Sequence, residues 1–291
     1  MASPLKSLVH DDSRYQTSFQ LFLQRSSEHQ CVRDFIHNKL ADILASIGDG
    51  KSHLNVIGVG SGAGEIDLEM LSELHKRHPD VTVDNEVVEP SSQQIHNYKA
   101  LVAKTAELQS IPFSWHIMHS EDYEKQVKAK GDIKKFDFIH MIQMIYYVDD
   151  LQETIKFFQS LLKKNGRLMI VVESANSGWD ILWKTYKKEL CVGSIQEYRS
   201  SGEVVACLKS LGLKYEEHLI PQSFDITDCF DPSSEPGARL ASFMTGTDRF
   251  HESFSPEIRA GMLDLLRNKC STEKDGRVFF NGNMSCILIH A

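Results

Sequence analysis

Two spacings of apolar residues alternate along the first 174 residues. Between 12 and 46, Phe19, Leu21, Phe22 and Leu23, then Phe35, Ile36, Leu40 and Ile43, recur at intervals that predict helix. Two glycines in "IGDGKSH" interrupt this pattern. The unbroken apolar run "LNVIGVG" (54–60) predicts a buried strand, and "AGEIDLEMLSELHKRH" returns to helical spacing with Ile66, Met70 and Leu74 on one face. "VTVDNEVVEP" (81–90) predicts a second strand stopped by Pro90, and "SSQQIHNYKALVAKTAEL" a helix capped by Ser91 or Ser92. A third strand follows in "FSWHIMH" (113–119), an acidic helix in "SEDYEKQVKA" and a fourth strand over 136–145. "DDLQETIKFFQSLLKKNG" predicts a helix closing at a lysine pair and Gly166, before a fifth strand, "RLMIVVES" (167–174). Strand and helix alternating at this spacing predict an α/β fold with a parallel sheet covered by helices on both faces.

Beyond residue 174 the alternation loosens. "GWDILWKTYKKEL" and "GEVVACLKSLG" predict helices, "LKYEEHLI" a strand, and 232–270 turns around the helical "PEIRAGMLDLLRNK". "GRVFFNGNMSCILIHA" reads as one final strand. A single continuous fold fits this length, with a core over 1–174 and an elaboration plus final strands over 175–291. The net charge of −8 argues against nucleic-acid and anionic-membrane partners, which need clustered Lys and Arg. A small cationic substrate suits that charge, as does solubility alone. Cysteines 31, 191, 207, 229, 270 and 286 contain no C-x-x-C pair, so neither a disulfide framework nor a metal site is expected. The amino-terminal residues lack a signal-peptide core, and no run approaches the roughly 18 apolar residues of a membrane span. A cytoplasmic chain is the expectation, and without a coiled-coil pattern a monomer.

Chemistry first surfaces in "NVIGVGSGAGEID", which sets Gly58, Gly60, Gly62 and Gly64 between the first strand and its helix. Glycines let the backbone turn tightly and approach a ligand, and the helix start adds its positive end. A tight turn without a ligand seldom needs four of them. No G-K-[ST] follows, which excludes a P-loop. Glu89 ends the second strand, where a carboxylate accepts from ribose hydroxyls in doubly wound folds. A dinucleotide fits that feature, but the loop lies farther from Glu89 than the roughly 20 residues of the dinucleotide fingerprint. The polar end of the fourth strand, the fifth strand and the long tail suit S-adenosylmethionine better.

At this point the sequence resembles the class I S-adenosylmethionine-dependent methyltransferases. The resemblance implies a Rossmann-like, mostly parallel seven-stranded sheet flanked by helices, with a substrate-binding elaboration. It departs from the usual first motif, which has an acidic residue where Gly58 stands. By resemblance, Gly60 lies against the methionine part of the cofactor and Glu89 holds the ribose. Gln94 and Ser120 approach the adenosine half, and Ile142 packs on adenine. Without the family match, Gln94 and Ser120 read as helix-surface and capping residues and Ile142 as core. Base-methylating members carry an Asn/Asp-Pro-Pro-aromatic motif after strand four; "IQMIYY" stands here instead, arguing for a small-molecule acceptor.

Tyr15, Phe19, Tyr146, Tyr147, Trp179, Trp183 and Phe243 come from separate segments, with Tyr15/Phe19 and Trp179/Trp183 spaced i, i+4. Such rings stack on a flat ligand and attract an ammonium, and equally they fill cores. "SSEHQC" (26–31), "DNEVVEP", "FIHMIQMIYYV", "SGWDILWKTY", "LGLKYE" and "DITDCF" together resemble the histamine N-methyltransferase family from end to end. That resemblance implies that Glu28, Gln143 and a C-terminal asparagine hold an imidazole amine, whose ring nitrogen far from the side chain is methylated. Asn283 is assigned this role, although "FNGN" also offers Asn281 across Gly282. Gln196 replaces a family cysteine and Leu190 an aromatic, so a larger imidazole such as carnosine is the alternative substrate. A non-catalytic relative and an NAD-dependent dehydrogenase are the rival classes.

Overall fold

The computed structural model describes residues 12–190 and 197–291. The N-terminal stretch expected to be one helical run is several helices: α1 (Asp12–Ser26), α2 (Glu28–Phe35), a π-turn at Ile36–Leu40 and α3 (Ala41–Gly48). The break falls at Ser27, whose φ of 54° leaves the helical region. Ser26 Oγ accepts from the Glu28 N–H at 3.3 Å, so the short polar side chains that disfavour helix interiors serve the new helix start.

The apolar runs of the first half become β1 (His53–Val59), β2 (Thr82–Val88), β3 (Phe113–His116), β4 (Phe136–Ile142) and β5 (Leu162–Glu173). Between them lie α4 (Glu65–Arg77), α5 (Ser92–Lys104), α6 (Ser120–Lys130) and α7 (Leu151–Ser160). The next elements are α8 (Gly178–Thr185), α9 (Lys187–Leu190), α10 (Ser201–Leu211), β6 (Tyr215–Ile220) and β7 (Ser223–Asp225). The chain continues through α11 (Glu235–Thr245), α12 (Phe250–Ser253), α13 (Pro256–Asn268), β8 (Ser271–Lys274), β9 (Arg277–Asn281) and β10 (Met284–His290). A seven-stranded sheet has the order β3-β2-β1-β4-β5-β10-β6, and β1 through β5 pair in parallel. A three-stranded sheet has the order β7-β9-β8. The fold is thus α/β, with the mostly parallel sheet that the alternation predicts.

The predicted helix over 149–166 stops at Ser160, and residues from Leu162 join β5. Leu162 pairs with Phe136, and the register then shifts before Phe138 pairs with Arg167. Asn165, with φ 67°, and Gly166 sit in this irregularity; a Cβ at Gly166 would meet Lys163 O at 2.9 Å and Phe136 O at 3.1 Å. The single C-terminal strand expected over 276–291 is two, β9 and β10, in different sheets. Gly282 separates them, where a Cβ would strike Gln222 Oε1 at 2.4 Å. Strands β7 and β8 are too short and polar to show a period of two.

The described residues divide into two compact units. One comprises Val32–Val172, Glu203–His218 and Ser285–Ala291 and contains nearly all of the large sheet; Leu40, Leu54, Ile57, Phe136, Phe138 and Phe158 are in its interior. The other draws on Met1–Cys31, Glu173–Gly202 and Leu219–Met284 and holds the three-stranded sheet around Phe22, Trp179, Leu182, Met244, Phe250 and Phe280.

Candidate functional site

In the large-sheet unit, β1 lies between β2 and β4, so the strand order reverses direction there. Open α/β sheets bind ligands at the carboxyl ends of strands beside such a switch point. The glycine loop leaves β1 at this place. Gly60, Gly62 and Gly64 have φ of 72°, 58° and 81°, a region costly for other residues. The Gly60 N–H donates to Val88 O at 2.7 Å, and Gly64 donates to Ser61 O at 3.1 Å while opening α4. A Cβ at Gly60 would approach the Met144 Cβ to 2.7 Å. Backbone therefore forms this surface because no side chain fits it.

Glu89, 8% exposed, follows β2 and turns toward the same loop. Its Oε1 accepts from the Gly62 N–H at 2.9 Å, and its Oε2 from the Ser91 N–H at 2.7 Å. Each oxygen retains a second lone pair for a hydroxyl donor. Ser91 caps α5 by accepting from the Gln94 N–H at 3.2 Å, which sets Gln94 in the first turn. Gln94 Nε2 lies 3.9 Å from the position of a Gly62 Cβ. Ser120 opens α6, is buried, and donates to Glu121 Oε2 at 3.2 Å. Ile142 ends β4 half-buried. Gly60, Glu89, Gln94, Ser120 and Ile142 thus all fall at or just beyond the carboxyl ends of β1 to β4.

Gln143 follows with φ 52°, an uncommon value for a non-glycine residue, while its N–H still donates to Val171 O at 2.9 Å. The Tyr146 hydroxyl donates to Gln143 Oε1, fixing the amide against a buried ring. Tyr147, 47% exposed, sets its ring edge-on to Tyr146 with centroids 6.2 Å apart.

A buried polar cluster lies under the glycine loop that sequence reasoning did not identify. Asp67 of α4 accepts from the Tyr98 hydroxyl of α5 at 3.1 Å, and its other oxygen lies 3.8 Å from His140 Nδ1 on β4. Burial pushes His140 below its ordinary pKa of 6.5, opposed by Asp67, so the ring is neutral at pH 7. Burial and then the Asp67 charge push the Tyr98 hydroxyl well above the usual tyrosine range. The only signal in the sequence was an absence, the glycine at position 58.

The small-sheet unit carries the other candidates. Tyr15 and Phe19 stack on α1 with centroids 5.9 Å apart, and Phe243 of α11 lies 6.2 Å and 5.7 Å from them. These three form one half-buried aromatic surface. Trp179 and Trp183 are instead core residues, 8% and 7% exposed. Trp179 packs edge-on to Phe22 and Phe280, and the Trp183 indole N–H donates to Met244 O at 3.0 Å. Glu28 is the half-buried first residue of α2. Asn281 Oδ1 accepts from the Asn283 N–H at 3.1 Å, and Asn283 Oδ1 accepts from the Gln222 N–H at 2.9 Å. Both asparagines therefore brace the Gly282 bend. Leu190 is fully buried in this unit's core, and Gln196 lies outside the described residues. Among the described residues, no group of His, Cys, Asp and Glu is placed to hold a metal ion, and no helix is long and apolar enough to cross a membrane.

Comparison with known proteins adds to this geometry. Residues 32–218 match the methyltransferase domain family. Histamine N-methyltransferase of Danio rerio is 49% identical over 99% of both chains. Histamine N-methyltransferase A of Xenopus laevis and the Bos taurus histamine N-methyltransferase are 45% and 43% identical over the full length of both. Among solved structures, the YcgJ protein of Bacillus subtilis has a TM-score of 0.54 at 14% identity, covering 86% of this chain and 97% of its own. The plantazolicin methyltransferase BamL, solved with SAH, has a TM-score of 0.50 at 14% identity, covering 94% and 90%. These two likenesses extend to the fold.

Proposed function

Because the chain belongs to the histamine N-methyltransferase family, we propose that it transfers a methyl group from S-adenosylmethionine to the imidazole ring nitrogen of histamine farthest from the side chain (the tele position), inactivating the amine. The observation that carries this reading is identity of 49% to a named histamine N-methyltransferase across 99% of both chains. The fit of the cofactor is supported by this chain's own atoms. Gly60 and Gly62 expose backbone where a Cβ would strain or collide, and Glu89 is fixed through both oxygens with acceptor capacity to spare. Glu89 would accept from the ribose hydroxyls, Gly60 would lie along the methionine part, and Gln94, Ser120 and Ile142 would line the adenosine half. Bound there, S-adenosylmethionine supplies a sulfonium methyl group.

Neutral imidazole, with a reference pKa near 6.5, already has a lone pair on one ring nitrogen, so the protein need not provide a strong base. Its contribution is orientation and exclusion of water. Glu28, Gln143 and Asn283 are the proposed polar contacts. A carboxylate suits the ammonium or a ring N–H, and amides suit the ring nitrogens. Tyr146 holds the Gln143 amide in place. Tyr15, Phe19 and Phe243, with Tyr146 and Tyr147, are the proposed ring contacts. Trp179 and Trp183 support that role from within the core.

Leu190, a core residue here, changes packing rather than polarity, so the family departure at 190 gives no reason to prefer a larger substrate. The proposed setting is cytoplasmic, supported by scattered free cysteines, and the proposed state is a monomer, since no coiled-coil pattern calls for an oligomer. A methyl-transfer assay with S-adenosylmethionine against histamine, carnosine, histidine and unrelated amines tests the proposal. Transfer to histamine is expected; transfer to none of the imidazoles overturns it.

A further inference from the structure

Asp67, a buried carboxylate of the large-sheet unit, has no task in the proposed reaction. Asp67 is the third residue of α4 and 3% exposed. Carboxylates are favoured in a first helical turn, but most such residues face water, and this one is turned inward. Its surroundings show what the burial achieves. A Cβ at Gly58, one residue before the end of β1, would stand 2.6 Å from Asp67 Oδ2, 2.4 Å from Ser61 Oγ and 2.5 Å from His140 Cε1. A side chain at position 58 would displace these groups, and the carboxylate reaching over from α4 takes up that space.

Tyr98 plays the matching part at the other end of the loop. A Cβ at Gly64 would meet its ring at 2.4 Å, so the ring lies directly against the glycine that starts α4. The Tyr98 hydroxyl donates to Asp67 at 3.1 Å, and Asn85 Nδ2 approaches the same hydroxyl at 3.5 Å. One hydrogen bond therefore ties together the supports of Gly58 and Gly64. Between them lies the Gly62 N–H that donates to Glu89.

We propose that Asp67, acting through Tyr98, is the positioning residue of the cofactor loop, holding residues 58–64 in the path that binds S-adenosylmethionine. The inference rests on reading that loop as the cofactor site. A pair serving stability alone would lower Tm without singling out the cofactor. Loss of a positioning pair loosens the loop, raises Kd for S-adenosylmethionine and leaves KM for histamine where it was.

The test uses the full chain and its Asp67→Ala, Asp67→Asn and Tyr98→Phe variants. Calorimetry should show Kd for S-adenosylmethionine raised about tenfold by Asp67→Ala and by Tyr98→Phe, the scale of one buried hydrogen bond to a charged group. Asp67→Asn keeps an oxygen acceptor and should recover most of the loss. The double variant Asp67→Ala/Tyr98→Phe should be no worse than either alone, because both remove one interaction. Amide exchange across residues 60–64, measured without cofactor, should quicken in the same variants. If Asp67→Ala does not fold, Tyr98→Phe, which leaves the ring under Gly64, decides alone. Wild-type Kd or wild-type loop exchange in Tyr98→Phe overturns the proposal. Failure of the wild-type chain to bind S-adenosylmethionine would overturn the cofactor reading instead, while loop exchange still decides whether Asp67 and Tyr98 position the loop.

Discussion

Glu28 begins a helix immediately after the positive-φ break at Ser27. Its place is fixed by backbone geometry. Glu28→Ala should raise KM for histamine about tenfold, the size of a lost charge-assisted hydrogen bond, with KM for S-adenosylmethionine changed less than about twofold. Steady-state kinetics with each substrate varied in turn measures both; an unaltered KM for histamine removes Glu28 from substrate binding. At this scale the sequence was informative wherever a residue type is rare in its context. Four glycines between a strand and a helix, and a polar end on an apolar strand, both marked real features of the fold. Asp67 escaped notice because a carboxylate in the first turn of a helix is ordinary. Its burial depends on Gly58, nine positions earlier, and on Tyr98 of the next helix. The tryptophans illustrate the opposite ambiguity, since i, i+4 spacing is the same for a pocket wall and for the core they occupy.

Helices α2 and α4 and the π-turn carry a chain of charges that makes their stability depend on pH. His37, in the π-turn, lies 2.9 Å from Glu73 and 2.9 Å from Glu69; Arg33 pairs with Glu69 and Arg77 with Glu73. The hydrogen bond with Glu73 raises the His37 pKa above its ordinary 6.5, outweighing burial, and Glu69 adds to it. A raised folded-state pKa means stabilisation present in full below about 6.5, and lost as pH rises through the folded value. Between pH 6 and pH 8.5 the wild type should therefore lose more stability than His37→Gln. The difference should be about 1 kcal/mol or less, since the ring is partly exposed and its charges are screened. Urea unfolding at a series of pH values measures this, and parallel curves for the two proteins would remove His37 from the account. Elements with a strong period were read correctly from sequence, whereas irregular ones were not. The end of α7 and the start of β5 share "LLKKNG", whose leucines and lysines suit a helix. Pairing of Leu162 with Phe136 wins there, and that partner is distant in sequence.

For the whole molecule, a bound cofactor adds to native-state stability by mass action. At a concentration about 100 times Kd, S-adenosylmethionine should stabilise the protein by about 2.7 kcal/mol. Scanning calorimetry should show Tm rising with S-adenosylmethionine or its demethylated product and unmoved by NAD. A rise with NAD alone would favour a dehydrogenase. The interleaved course of the chain was not legible beforehand, because each unit is assembled from stretches that are discontinuous in sequence. The position of β10 has a consequence for how the protein is made. Synthesis delivers β5 and β6 before the strand that belongs between them, so the nascent sheet has a vacant slot flanked by unpaired edges. Such edges are templates for mispairing with other chains. The apolar "MSCILIH" of β10 closes that slot, and until it is translated the facing edges of β5 and β6 stay unpaired.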